Sequence, residues 1–332
     1  MIEQIKVSVI VPVYNAGDRI FKCLDTLVNQ TLREIEIICV LDCPTDGTDK
    51  VVEEYAMRDE RIVIVRNERN LHVSGSRNEG LKVARGEYIG FSDHDDYRDL
   101  RMYELLYAKV KETNADIVVS GSTVISEKGD VTIEKCNDKT RESAIRSVIE
   151  PWDYFYNPDR VIKNVWGNIY RRQFVEENEL SFFDWKTIMF EDVLFNSLAF
   201  IKSEKMAFVD GPLYTWHKHI DSTGNTWIYD KEKVRTMIVR ELNQIILVVE
   251  TLQKTNQLDK YKKSVQRCVS ESIHKRFPYY LKLSVKDRER LCGLIRTISF
   301  PLFGVYNLKL FSKKRVQLLF FVLKLKLDGR KV

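Results

Sequence analysis

Short β-branched runs alternate with stretches of helical period through the first 120 residues. The runs Val7 to Val11, Ile35 to Leu41, Ile62 to Arg66, Tyr88 to Phe91 and Ile117 to Val119 are each bounded by Gly, Pro, Asn or Asp, and predict strands. Between them Ile20, Phe21, Leu24, Leu27 and Val28 recur at helical spacing, Val51, Val52 and Tyr55 make a shorter face, and Leu105, Leu106 and Val110 a third. That alternation predicts an α/β, Rossmann-like domain: a mostly parallel sheet with flanking crossover helices, and ligands beyond the carboxyl ends of the strands. Polar residues collect at those ends, namely Tyr14 with Asn15, Asp42, and the stretch from Asp93 to Asp96. One site is implied.

The pattern is lost from Gly121 to Ile149, and the aromatic-rich segments PWDYFYNPDR, NVWGNIY and FFDW then lead to about Trp227. This part reads as irregular structure. Beyond Tyr229 the chain is helical, with Ile238, Leu242, Ile245, Val249 and Leu252 in one seam, a second helix to about Tyr280 and shorter ones after it. About two heptads fit an ordinary intramolecular seam better than a dimeric coiled coil. The organisation expected is therefore 1–120, 121–228 and a helical C-terminal extension over 229–332.

Composition is globular: 44% hydrophobic and 30% charged residues, with a formal charge of only +5 from 53 basic and 48 acidic side chains. That balance gives no reason to expect nucleic acid. The excess lies in the tail, where Pro301 to Val332 holds eight Lys or Arg against one Asp. There Lys313, Lys314 and Arg315 precede the apolar run Leu318 to Leu323 and further cations follow it, a pattern for contact with an anionic membrane surface or for packing on the neighbouring helices. Six cysteines form no CxxC pair and fall mostly in apolar periodic segments, as reduced core residues do. The N-terminal MIEQIKVSVIVPVYN reads as a strand rather than a signal peptide, and no apolar run approaches the ~20 residues of a spanning helix. A cytoplasmic protein is expected, peripheral on the inner face of the cell membrane if the tail binds it.

In GEYIGFSDHDDYRD an apolar strand gives way to Asp93, Asp95 and Asp96. Two unit charges about 4 Å apart repel by ~4 kcal/mol at an effective dielectric near 20, so water, hydrogen bonds or a cation must offset the cluster. A lone Asp-x-Asp is commonly a solvated turn, but at a strand's carboxyl end hard oxygen ligands suit Mg²⁺ or Mn²⁺ shared with substrate phosphates. A nicotinamide site does not fit, because VPVYNAGDR has one glycine where a pyrophosphate turn needs G-x-G-x-x-G.

Taken in order, VSVIVPVYN, IICVLDCPTDGT and NLHVSGSRNEGLKVARGEYIGFSDHDD resemble the nucleotide-sugar-binding half of family 2 glycosyltransferases, and MFEDVLFN with LYTWHKHIDST resembles their acceptor half. The resemblance runs from about residue 5 to 225 and implies a GT-A fold. It puts Pro12, Tyr14 and Asn15 beside the nucleotide, Asp42 on the base, and Arg77 near the nucleotide. Asp93 and Asp95 match the family's Asp-x-Asp, with Asp95 the direct metal ligand, Asp93 nearer the ribose and sugar, Asp96 in support and His94 against the donor sugar. His219 with Ser222 resembles a His-x-x-Ser loop that approaches the metal or diphosphate. Glu191 and Asp192, expected at a helix N-terminus that keeps them ionised, match the acidic pair facing the acceptor, with Asp192 as general base.

The sequence departs from the family at Leu41 before Asp42, at Cys43-Pro44, at His72 where glycine is usual, and at Asn168 where lysine is frequent. Trp152, Trp166, Trp185 and Tyr214 could stack on acceptor sugars or form core. The function implied is metal-dependent, inverting transfer of one sugar from a nucleoside diphosphate sugar, UDP-linked, to a glycan or lipid-linked glycan acceptor in surface polysaccharide synthesis. The alternative is a catalytically silent sugar-nucleotide-binding or scaffolding protein. A processive synthase is disfavoured, since neither a Q-x-x-R-W signature nor spanning helices occur.

Overall fold

The computed structural model describes residues 4–126, 128–134, 164–184, 186–219, 231–275 and 283–298. These fall into two compact units, one holding the described residues up to 134 together with 164–184 and 191–219, the other holding 186–190 and 231–298. The basic tail, Ser222, Trp152 and Trp185 lie outside the described residues.

In the first unit, nine strands form one sheet in the order β3-β2-β1-β4-β8-β6-β9-β5, with β7 also paired to β6. β1 (Val7–Val13), β2 (Ile35–Leu41), β3 (Ile62–Arg66) and β4 (Tyr88–Phe91) are all parallel, as read from the sequence. Every residue of β1 and β2 is buried, which is why both read as apolar runs interrupted only by Ser8 and Glu36: helices cover the two faces. The crossovers are α1 (Arg19–Val28), α2 (Thr48–Arg58), α3 (His72–Val83) and, after the two-residue β5 (Tyr97–Arg98), α4 (Met102–Thr113). α3 has too few apolar residues for periodicity to announce it.

Beyond α4 the sheet turns mixed. β6 runs Ile117–Ile125 and pairs antiparallel with β7 (Val131–Glu134) and β8 (Asn168–Arg171), and parallel with β9 (Met206–His217). α5 (Arg172–Glu177) and α6 (Glu191–Lys202) lie between β8 and β9. The expectation that pattern is lost from Gly121 and that the following segment is irregular is thereby corrected. Small polar residues and register shifts at Ser120, Gly121 and Ser122, and the Gly211-Pro212 break in β9, hide the alternation while cross-strand hydrogen bonds supply the order.

Two polar residues sit inside the parallel region and are fully paired. The Glu36 carboxylate accepts from Ser8 Oγ (2.6 Å) and from Arg85 N (2.7 Å), Nε (3.0 Å) and Nη2 (2.7 Å), while Ser8 Oγ accepts from Gly86 N (2.7 Å). This ties the loop before β4 to the two central strands.

Among the described residues the second unit holds, besides 186–190, α7 (Lys231–Lys254), α8 (Leu258–Lys275) and α9 (Val285–Thr297). Ile238, Leu242, Ile245, Val249 and Leu252 are all buried, as their spacing predicts. α7 also holds the 186–190 segment: Arg240 Nε donates to Lys186 O (3.1 Å), Asn243 Nδ2 to Thr187 O (2.5 Å), and Gln244 Oε1 accepts from Phe190 N (3.4 Å). Among the described residues no helix is long and apolar enough to cross a membrane.

α3 lies against β1 through Gly80, where a Cβ would drive into the Ile10 side chain, whereas a Cβ at Gly293 in α9 meets nothing within 4 Å. Gly80→Ala should therefore destabilise the fold by about 1–3 kcal/mol in urea unfolding. Gly293→Ala should stabilise it by about 0.5–1 kcal/mol, because only the helix propensity changes.

Candidate active site

β4 ends at Phe91, and the chain turns at once through Asp93, His94, Asp95 and Asp96. The turn is clamped from beneath by Arg98, which is buried and donates from Nη2 to Ser92 Oγ (2.8 Å) and Asp96 O (3.0 Å) and from Nη1 to Cys23 O (3.3 Å). From β9, the Tyr214 hydroxyl accepts from Asp93 N (3.1 Å) and donates to Asp96 Oδ2 (2.9 Å), while His217 N donates to Asp96 Oδ1 (3.0 Å).

The three carboxylates thus meet different surroundings. Asp96 is buried, and burial together with the Asp93 and Asp95 charges pushes its carboxyl well above the usual range. Asp93 Oδ1 accepts from Arg77 Nη2 at 2.8 Å. Asp95 is partly exposed, and its Oδ2 lies 4.0 Å from His219 Nε2.

The donor-side residues gather at the carboxyl ends of β1, β2 and β4. His94 Nδ1 is 3.0 Å from the Pro12 carbonyl oxygen, so Nδ1 is the donor of that bond. Asn15, at φ +43, accepts from Thr45 N (2.8 Å) and joins the β1 and β2 loops; Tyr14 beside it is exposed. Asp42 is buried, and its Oδ1 accepts from Asn67 Nδ2 and Leu71 N, both at 2.7 Å, which leaves Oδ2 toward other donors. Asn67 was not singled out in the sequence, although it follows β3 at the same end of the sheet. His72, standing in a position usual for glycine, takes a left-handed φ of +57, a conformation that costs an L-residue roughly 1 kcal/mol.

Arg77, rather than being a surface helix charge, is buried in α3. Its Nη1 donates to Glu191 Oε1 (3.0 Å), its Nη2 to Asp93, and its guanidinium lies 5.1 Å over the Phe182 ring. Glu191 opens α6, as expected, and Asp192 follows it with Oδ1 accepting from Val193 N (2.7 Å).

The helix N-terminus does not keep Asp192 acidic. It retains some surface exposure but is densely surrounded by protein atoms, and burial, then the Glu191 charge, push its carboxyl up to about 8, against the opposing pull of Arg77 and the Val193 N–H. Desolvation outweighs the helix dipole here.

At the open side of the acidic turn, the His217 ring stacks on His219 (5.6 Å) and lies tilted against Tyr97 (5.8 Å), with Lys22 Nζ 3.4 Å from the Tyr97 ring. Burial and the neighbouring His219 and Lys22 hold His217 below its usual pKa. Trp166 and Tyr214 form core: both are buried and stack on each other at 4.4 Å, so neither is open to a sugar. Asn168 is buried and donates to Asn164 O (3.0 Å) and Tyr170 Oη (2.9 Å).

The donors present suit a hard cation: Asp95 and His219 face each other next to like charges that a cation would relieve. Among the described residues no group of three or more His, Cys, Asp or Glu side chains is arranged to hold an ion unaided, so further ligands would come from diphosphate oxygens or water.

The family model described as glycosyl transferase family 2 matches residues 8–177, just over half of the chain. The chain belongs to that family. Among curated proteins it is 35% identical over 216 residues to the uncharacterized glycosyltransferase EpsJ of Bacillus subtilis, covering 65% of this chain and 62% of that protein. It is 31% identical over 205 residues to the poly(ribitol-phosphate) beta-glucosyltransferase of Bacillus spizizenii, covering 61% of this chain and 30% of that one. The chain thus spans less than two thirds of the length of these relatives. The solved structure of S. aureus TarS 1-349 in complex with UDP-GlcNAc superposes with a TM-score of 0.67 at 20% identity, covering 98% of this chain and 89% of that one. Family and superposition agree on the GT-A fold.

A carboxyl whose pKa is higher in the folded chain than the ordinary 3.8 lets the native state hold its proton more tightly, so its contribution to stability is lost as pH rises from about 4 to about 8. Asp192→Asn keeps the shape and the Val193 N–H bond without the buried charge. At pH 7.5 the variant should be more stable than the wild type by about 1–2 kcal/mol, with the difference shrinking as pH falls and vanishing below about pH 4, as read by thermal unfolding.

Proposed function

We infer that the chain is an inverting glycosyltransferase moving one sugar from a nucleoside diphosphate sugar, UDP-linked, to a hydroxyl of a glycan or lipid-linked glycan acceptor in surface polysaccharide synthesis. The observation that carries this reading is the meeting, across Arg77, of Asp93 at the end of β4 with Glu191 and Asp192 at the start of α6. One carboxylate belongs to a donor-binding turn and the other pair to a helix start able to address an acceptor.

Asp42 Oδ2 accepts the N3–H of uracil, which bases lacking a donor there cannot match. Pro12, Tyr14, Asn15 and His94 line the nucleotide and sugar side. Asp95 and His219 would hold a Mn²⁺ or Mg²⁺ ion, with Asp93 beside them, and the ion would supply neutralisation of the charge on the diphosphate. Asp192, with a raised pKa suited to accepting a proton near neutrality, takes the acceptor hydroxyl proton. The acceptor oxygen bonds to the anomeric carbon from the side opposite the diphosphate, the carbon–oxygen bond to the diphosphate breaks, and UDP leaves with that electron pair. Configuration inverts because one displacement occurs, with no side-chain nucleophile. The relatives' names, glycosyltransferases that include a poly(ribitol-phosphate) enzyme, support a polymeric surface acceptor. Membrane attachment rests on the sequence of the basic tail and is tested by co-sedimentation with anionic and neutral liposomes.

Calorimetry with UDP-sugars, with and without Mn²⁺, tests the donor site: Asp95→Ala should lose the metal-dependent part of the affinity, and unchanged metal-dependent binding overturns the ligand assignment. Asp192→Asn should keep donor affinity while lowering UDP release at least about 100-fold, as loss of a general base does. Turnover within a few-fold of wild type would move the base to Glu191. A wild-type chain that binds UDP-sugars and never releases UDP would instead be a sugar-nucleotide-binding protein.

A further inference from the structure

Arg77 reaches Asp93 and Glu191 at once, and it does so from a buried position, its side chain 4% exposed. Its Nη1 and Nη2 are each committed to a different carboxylate, 114 residues apart from Glu191 and 16 from Asp93, while its buried Nε donates to no protein atom. Burying a guanidinium with an unsatisfied N–H is a poor way to stabilise a fold, since an apolar replacement for an entire buried ion cluster is often neutral or better.

The platform beneath it is apolar and rigid. Phe182 faces the guanidinium on one side and stacks on Phe195 of α6 at 4.4 Å and 5°. The segment carrying Phe182 is locked to α3 by a reciprocal pair: Asn78 Nδ2 donates to Phe182 O and Phe182 N donates to Asn78 Oδ1, both at 2.8 Å. α3, the Phe182 segment and α6 are therefore held in one register around the Arg77 plane.

We propose that Arg77 is a positioning residue that spans the donor turn and the base helix, fixing Glu191 and Asp192 relative to Asp93, rather than a ligand of the nucleotide. A planar fork can hold two carboxylates at a set separation, which a single ammonium cannot. The inference rests on the glycosyltransferase reading above, and it predicts that damage to Arg77 appears in turnover and not in donor affinity.

The test measures UDP-sugar affinity by calorimetry and UDP release with water as acceptor, using whichever UDP-sugar the wild type cleaves fastest. Arg77→Met should leave the donor Kd within about threefold and lower kcat about 100-fold, the scale of loss expected when reacting groups are misplaced by about 1 Å. Arg77→Lys should restore part of that loss, to about tenfold below wild type, by keeping the charge without the fork. Phe182→Leu leaves every polar partner in place and removes the platform; it should lower kcat about tenfold at unchanged Kd, which keeps the inference testable if Arg77→Met fails to fold. Donor affinity weakened more than about tenfold at preserved kcat would make Arg77 a direct donor ligand and overturn the proposal. So would variants with wild-type kcat and Kd. A wild-type chain that neither binds nor cleaves any UDP-sugar would fail the glycosyltransferase reading itself, whereas an active wild type with either variant pattern just named fails only the role given to Arg77.

Discussion

The structure of the site depends on one buried guanidinium shared by two carboxylates. Arg77 touches Asp93 and Glu191, and each of these stands at the end of an element whose direction the sheet has already set: β4 delivers Asp93, and α6 begins at Glu191. Without that cation four acidic side chains, Asp93, Asp96, Glu191 and Asp192, would repel one another in poorly solvated surroundings. The fold holds them together by giving each a different remedy. Asp93 and Glu191 share Arg77, Asp96 takes hydrogen bonds from Tyr214 and His217 N, and Asp192 is held toward its protonated form.

Those remedies have chemical consequences. Burial beside Glu191 raises the Asp192 carboxyl far above the ordinary carboxylate range, which suits the general base proposed for it. Asp93 and Asp95 both stay partly open, but Asp93 is paired with Arg77 whereas Asp95 lies next to His219. The same turn is held rigid by Arg98 below and Tyr214 beside it, so its carboxylates are fixed before substrate arrives.

Much of the first half was legible. β2, β3 and β4 have the bounds their apolar runs predict, because strands lying inside a covered sheet are built mostly from apolar residues and tolerate a polar one only where it is paired, as Glu36 is. The cysteines follow the same logic: Cys23, Cys39, Cys268 and Cys292 are buried. Legibility fell where side chains are small or where pairing, not burial, makes the element. β6 continues through Ser120, Gly121 and Ser122 because its neighbours supply hydrogen bonds on both edges, and α3 forms from a segment rich in Gly, Ser and Asn because Gly80 lets it lie close on Ile10. Trp166 and Tyr214 show the limit for aromatics, whose spacing is the same whether they stack on each other or on a ligand.

The sequence by itself determined the parallel strands, the polar residues at their carboxyl ends and, through the order of its motifs, the family. Its motifs marked Asp42, Asp93, Asp95, Glu191 and Asp192 as candidate site residues. Only the tertiary structure decided how their charges are shared. Whether a carboxylate is paired, protonated or open depends on which distant groups surround it and on how much water they displace: Arg77 lies 114 residues from Glu191, and Tyr214 lies 118 from Asp96. Electrostatic energy varies with separation in space and with local dielectric, and neither is written in the spacing of residues along a chain.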